Sequence, residues 1–239
     1  MSPGARALQG PPAAEAIRLP TRRSLGEDVY VALVTMLMDR VIAPSSPITI
    51  DDLARRLSVS PTPIRESLAR LEAEGLVYRQ QNRGFFSSAE LTQAEVDELF
   101  QLRQLLEPWN AAEAARRRTE VSAAALTELF EAFDFSEVGS DYSQYRAMLE
   151  HDASLHDHIA AMAGNSQIRA ALTRTHAHLH LFRLQNRASG LAETQAEHHQ
   201  LVTAVVAGDA AAARSAMTRH LRLARRRFPT VRGDDDVHD

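Results

Sequence analysis

Apolar residues recur with a helical period along most of this chain, and the breaks in that period mark out its elements. Val29, Ala32, Leu33, Met36 and Val41 trace a first helix that ends before Pro44. Thr49 followed by Asp52 has the spacing of a capping box and opens a short helix through Leu53 and Leu57. Ser60 is a second cap. Pro61 and Pro63 follow it in the first turn, where a missing N–H costs nothing because those donors have no helical partner. Ile64, Leu68 and Leu71 give this third helix one buried stripe, and Gly75 stops it. Leu76 to Gln80 and Phe85 to Ser88 then read as extended segments joined by a turn with Asn82, Arg83 and Gly84. Three short helices and a two-stranded wing are the outline of a winged helix-turn-helix.

Beyond the wing the pattern is helical throughout. Thr92 with Glu95 is another capping-box spacing and opens a long helix to about Arg118. Further helices are predicted near 121–134, 142–163, 165–187, 191–207 and 209–228, punctuated by Gly139, Gly164, Gly190 and Gly208. The ends differ: residues 1–23 have scattered Pro and Gly and no sustained period, and residues 229–239 are polar and acidic. The expected organisation is a flexible arm (1–23), a winged helix-turn-helix domain (24–89), an all-helical antiparallel bundle (91–228) and a disordered tail (229–239). The fold class is mainly α.

Composition supports this outline. A chain of 239 residues with 44% hydrophobic content can bury a real core, and the 5% aromatic share beside abundant Ala, Leu and Arg favours helices. All 27 basic residues are Arg. The net charge of -4 matters less than its distribution. Residues 1–89 hold 11 Arg against 9 acids, and the remainder 16 Arg against 22, so only the front half can face nucleic acid. With no Cys, disulfides and thiolate chemistry are excluded, and any metal must be held by His and carboxylates. No apolar run approaches the ~20 residues of a membrane span, and residues 1–20 lack the apolar centre of a signal peptide. A cytoplasmic protein with no membrane partner is expected.

A helix-turn-helix reads sequence by laying its second helix in the major groove, with polar residues near that helix's N-terminus facing outward. Thr62, Arg65, Glu66 and Arg70 lie off or beside the apolar stripe, and Ser60 with the helix N-terminus can meet a phosphate. Arg65 is the first candidate for a base contact, because a guanidinium reaches guanine O6 and N7 together. Arg83 beside Gly84 puts a cation on a tight turn that can approach the backbone or minor groove. On spacing alone, Arg65 and Arg70 are equally consistent with the solvated face of an ordinary amphipathic helix. The run LARRLSVSPTPIRESLARLEAEGLVYRQQNRGFF (Leu53 to Phe86) resembles the winged helix of the GntR family of bacterial regulators, and the likeness spans Ser24 to Ser88. Pro61 stands where that family commonly carries an Arg; the second family Arg falls on Arg65 and the wing Gly on Gly84. The resemblance implies DNA contacts at Thr62, Arg65, Arg83 and Gly84.

Polar residues also interrupt buried stripes in the second half. Asp152 and His156, at i and i+4, share a stripe with Leu149, Leu155, Ile159 and Ala163. His198 shares the face of Leu201, Val202 and Val205, and His220 that of Ala213, Met217 and Ala224. One divalent cation would satisfy all four groups, with zinc the first choice and nickel, manganese or iron as alternatives. Taken alone, Asp152 and His156 also fit a simple helical ion pair. His151, His158 and His199 are expected to face solvent. His176, His178 and His180 have a spacing of two, which spreads them around a helix, so they cannot all be ligands, although His176 or His180 can border a cavity.

DASLHDHIAAMAGN (Asp152 to Asn165), AEHHQLVTAVVAGD (Ala196 to Asp209) and MTRHL (Met217 to Leu221) resemble the signature segments of the FCD effector domain. In metal-binding members one Asp and three His are the ligands, and these fall on Asp152, His156, His198 and His220. The resemblance also implies an open metal position for a small carboxylate, hydroxy acid or sugar acid. Arg103 lies on the inward stripe of its helix among Val96, Leu99, Leu106 and Asn110, and a buried guanidinium needs an anion. That anion is either Glu107 or an effector carboxylate, with Arg103 and Asn110 as the effector-binding candidates; the likeness of ELFQLRQLLEP (Glu98 to Pro108) favours the effector. The expectation is a homodimeric, non-enzymatic transcriptional regulator that binds palindromic operator DNA under control of an organic acid. Two rivals remain: a regulator whose signal is the ion itself, and a metal-dependent hydrolase, against which stands the lack of a further inward carboxylate to act as general base.

Overall fold

The computed structural model describes residues 25–135, 142–184 and 190–228. The arm, the tail, Gly139 and the last residues of the helix expected to reach 187 lie outside them. The first unit comprises α1 (Leu25–Met38), β1 (Pro47–Ile48), α2 (Ile50–Leu57), α3 (Pro61–Ala73), β2 (Val77–Gln80) and β3 (Gly84–Ser87). Leu33, Leu37, Ile64, Leu68, Leu71 and Leu76 are almost fully buried, so the predicted α3 stripe is the core of this unit. Val41 is not in α1; it lies beyond the helix and is exposed.

The wing has three strands, not two. β1 pairs antiparallel with β3, Pro47 opposite Phe86, in the order β1-β3-β2. A two-residue strand that begins with Pro at a sheet edge is too short to show alternation. Thr49 does cap α2, but without the side-chain bonds of a capping box. Its would-be partner Asp52 is taken up by Arg55 and Arg56 at 3.2 and 2.7 Å.

The second unit is all helix among the described residues: α4 (Gln93–Arg117), α5 (Glu120–Glu131), α6 (Tyr142–Met162), α7 (Ser166–Thr173), α8 (Ala177–Leu184), α9 (Leu191–Ala207) and α10 (Ala210–Arg227). Both halves of the Thr92–Glu95 capping box form. α4 packs on α6, α9 and α10, and α9 also on α5. The α4 side of that core is Ala111, Ala114 and Ala115, which let the neighbouring backbones come close; Leu155, Ile159, Leu201, Val205, Met217 and Leu221 fill the rest. The helix expected over 165–187 is broken at His176, which sits at φ 43° between α7 and α8. No Gly or Pro marks the break, and Thr173 and Thr175, stiff at χ1, are the only local weakness.

The two units share one apolar cluster, in which Tyr145, Met148 and Leu149 of α6 and Leu179 of α8 join the core of the first unit. No helix among the described residues is long and apolar enough to cross a membrane.

Candidate metal centre and nucleic-acid interface

Three helices converge on one point in the bundle. Asp152 and His156 come from α6, His198 from α9 and His220 from α10, and one ligand atom from each lies within 4.8 Å of all the others. Ring centroids are 5.5 Å apart for His156 and His198, 5.2 Å for His156 and His220, and 4.6 Å for His198 and His220. Asp152 Oδ1 is 3.4 Å from His198 Nε2. His198 is fully enclosed, and His156 Nε2 and both His198 nitrogens have no hydrogen-bond partner. Buried nitrogens left unpaired are costly, and a shared cation would relieve that cost.

Two carboxylates orient the outer histidines. Glu107 on α4 accepts from His156 Nδ1, and Glu197 on α9 accepts from His220 Nδ1 at 2.8 Å. A carboxylate can only accept, so each ring carries its proton on Nδ1 and keeps the Nε2 lone pair for a ligand bond. Each carboxylate is also held by an arginine: Arg103 Nε donates to Glu107 at 2.5 Å, and Arg227 grips Glu197 with two bonds of 2.8 Å. Burial pushes Glu107 up, but Arg103 and His156 outweigh it and hold its carboxyl well below the usual range. Burial likewise opposes Asp152, yet His156, His198, His220 and Arg103 bring it down to about 2. Burial, reinforced by the neighbouring His220, drives His198 well below its ordinary value, and burial lowers His220 despite the bond from Glu197. Burial also opposes charge on His156, but Glu107 and Asp152 outweigh it and raise that imidazole above its ordinary value, so an ion there would have to displace a second proton from its Nε2; the other two imidazoles and the ionised Asp152 are already in the states a divalent ion requires.

These findings correct several expectations. Inward carboxylates do accompany the cluster, although ion pairing commits both and leaves neither as a general base. Glu107 is the partner that the spacing allows for Arg103, but its bond to His156 is set by the fold, and Glu197 carries no sequence signal because His220 and Arg227 lie 23 and 30 residues away. Arg103 has Glu107 as its partner. Asn110 is buried without hydrogen-bond partners and is not part of the cavity wall described below. His199 is exposed as expected, but His151 is buried against Phe133 and Phe135, with ring centroids 5.0 and 5.7 Å away, and His158 is half-buried.

Beside these four side chains lies a cavity of about 250 Å³, lined by Asp152, His156 and His220 together with Arg103, Tyr145, His176 and His178. Its remaining wall is mostly apolar. His176 borders it as expected; the break before α8 brings His178 there too, while His180 turns away and donates from Nε2 to the Glu74 carbonyl at 3.0 Å.

In the first unit, Ser60, Thr62 and Arg65 are exposed at the N-terminal end of α3, and the Ser60 hydroxyl makes no capping bond. Arg65 has no ion-pair partner among the described residues. At the wing tip Arg83 and Gly84 are exposed, with Asn82 at φ 62° and Gly84 at φ 89°. A Cβ on Gly84 would touch nothing within 4 Å, so it is the backbone angle that calls for glycine there. Arg70, predicted to face DNA, is otherwise engaged. It pairs with Glu27 at 2.9 Å and Glu74 at 3.2 Å, and its guanidinium lies 3.4 Å from the centre of the Tyr30 ring.

A winged helix joined to a helical bundle describes a DNA-binding regulator. Residues 25–86 match the family described as bacterial regulatory proteins, gntR family, and residues 98–223 match the FCD domain. The chain belongs to the FCD-bearing GntR regulators and is a DNA-binding transcriptional regulator of that type. It is 28% identical over 219 residues to an HTH-type transcriptional regulator in an unstable DNA locus of Streptomyces ambofaciens, covering 84% of this chain and 83% of that one. It is 28% identical over 193 residues to the HTH-type transcriptional regulator LutR of Bacillus subtilis, covering 72% and 86%. Among solved structures, McbR/YncC of E. coli superposes with a TM-score of 0.60 at 21% identity, over 85% of this chain and 96% of that one. A putative GntR regulator from Rhodococcus sp. RHA1 gives a TM-score of 0.58 at 19% identity, over 84% and 95%.

Proposed function

We propose that this regulator is a cytoplasmic homodimer whose grip on a palindromic operator is set by an organic acid bound at a metal ion in the bundle. The observation that carries this reading is the convergence of four potential ligand atoms within 4.8 Å, with buried imidazole nitrogens that no described residue satisfies. Asp152, His156, His198 and His220 would hold the ion, zinc first by its preference for imidazole and carboxylate, with nickel, manganese or iron also suited. The ion supplies a fixed positive charge that attracts a carboxylate. The protein supplies the rest: Glu107 and Glu197 orient two of the ligands, and the adjoining cavity receives the body of the acid.

DNA reading falls to Ser60, Thr62, Arg65, Arg83 and Gly84. Two copies related by a two-fold axis would present two recognition helices to two half-sites. The cavity favours an acid over the ion alone as the signal, because a site for the ion alone needs no such space beside it. The committed state of Glu107 and Glu197 argues against a hydrolase. Protein purified without chelators should carry about one ion per chain by elemental analysis, as four ligands at a single site require. His198→Ala should abolish that stoichiometry while leaving the fold detectable by circular dichroism. Metal-free protein from a metal-replete preparation, or full occupancy in the variant, would refute the assignment.

A further inference from the structure

We infer that the acid taken by the cavity is a small monocarboxylate with an apolar body, in preference to diacids and hydroxyl-rich acids. This rests on the reading of the cavity as the effector site and narrows its ligand class.

The first observation is charge. Three guanidiniums line the cavity, those of Arg103, Arg169 and Arg227. Each is already matched by a carboxylate of the protein: Arg103 by Glu107 at 2.5 Å, Arg169 by Asp157 at 2.7 and 2.5 Å, and Arg227 by Glu197 at 2.8 Å twice. Asp152 alone remains to offset a divalent ion on three neutral imidazoles, which leaves one positive charge for the ligand to neutralise. A second ligand carboxylate would find no guanidinium without a carboxylate partner, the Arg103–Glu107 pair being buried, and would bring a further negative charge that only His176 or His178 could offset.

The second observation is the wall. Phe100, Met148, Leu149, Leu181, Phe182 and Phe228 supply most of it. Four hydroxyl side chains line the cavity, those of Tyr145, Thr173, Thr175 and Thr194, and the three threonines spend their proton on a backbone carbonyl: Thr173 on Arg169 at 3.0 Å, Thr175 on Leu172 at 2.6 Å and Thr194 on Gly190 at 2.9 Å. A polyhydroxy acid would bury several hydroxyl groups against this largely apolar wall, where few side chains can partner them. The volume of about 250 Å³ corresponds to roughly eight waters at liquid density, about the number of non-hydrogen atoms in hexanoate.

The test is calorimetric titration of zinc-loaded full-length protein with hexanoate, adipate, gluconate and acetate, repeated after zinc removal. Hexanoate should bind at least about tenfold more tightly than the other three, since acetate lacks the methylenes to bury and the others carry groups the wall cannot satisfy. Hexanoate binding should weaken without zinc. Phe228→Ala, a half-buried position at the end of α10, should weaken hexanoate about threefold or more and leave acetate unchanged. Adipate or gluconate equal to hexanoate, or a Phe228→Ala variant with undiminished hexanoate affinity, would overturn the inference while the acid-sensing reading stands. Binding of none of the four acids by fully zinc-loaded protein would instead overturn both.

Discussion

Arg65 and Arg70 show how far single residues can be read from spacing. Both lie beside the apolar stripe of α3, and spacing alone offers no ground for separating them. In the fold, Arg70 is tied to Glu27, Glu74 and Tyr30, whereas Arg65 points into solvent without an ion-pair partner. The partners of Arg70 lie 43 and 40 residues back or at i+4, and the two distant ones exist only because α1 packs on α3. Arg65→Ala should therefore weaken specific operator binding by about 1–3 kcal/mol with little change in melting temperature. Arg70→Ala should lower thermal stability and leave base discrimination intact. Competitive gel shifts on an operator and a one-base variant, alongside thermal melts, separate the two; a loss of discrimination in Arg70→Ala would reverse the assignment. The same asymmetry governs the bundle. Asp152, His156, His198 and His220 were legible because polar residues on a buried stripe are anomalous. Glu107 is legible only as a partner for Arg103, not for His156, and Glu197 is not legible at all, because His220 and Arg227 lie 23 and 30 residues away and meet it only in the fold.

At the scale of elements, periodicity located every described helix except α8, whose separation from α7 depends on tertiary contacts. α8 is also the element where the cavity meets the DNA-reading unit. His178 and Leu181 line the cavity, His180 donates to the Glu74 carbonyl just past α3, and Arg183 donates to the Ser88 carbonyl at 2.7 Å. Burial lowers both His178 and His180 below the ordinary histidine value. Asp152, Glu74 and His176 act on His178; Glu74, Arg183 and His176 act on His180. A histidine whose folded pKa is depressed contributes stability that is fully present above its unfolded value of about 6.5 and is lost as pH falls through the folded value. The seating of α8 should thus weaken on acidification. Thermal melts of metal-free protein should drop between about pH 7 and pH 5, and His180→Gln should flatten part of that drop. An identical pH profile in the variant would show that His180 takes no part.

For the whole molecule, the shared core makes the helical bundle and the winged helix parts of one packed body. Tyr145, Met148 and Leu149 face both the cavity and the apolar cluster of the winged helix. A ligand seated against them can alter DNA affinity only if it binds the DNA-competent and DNA-incompetent arrangements unequally. Linkage then fixes a quantitative relation: whatever factor the acid imposes on operator affinity, the operator must impose on acid affinity, in the same direction. For zinc-loaded protein, hexanoate affinity measured with and without saturating operator duplex should change by the factor found for operator affinity with and without hexanoate, on the order of 5–150-fold. If the acid binds at the cavity yet the two factors differ, the protein is not at equilibrium between two arrangements. If both factors equal one, the cavity and the recognition helix are energetically independent despite α8.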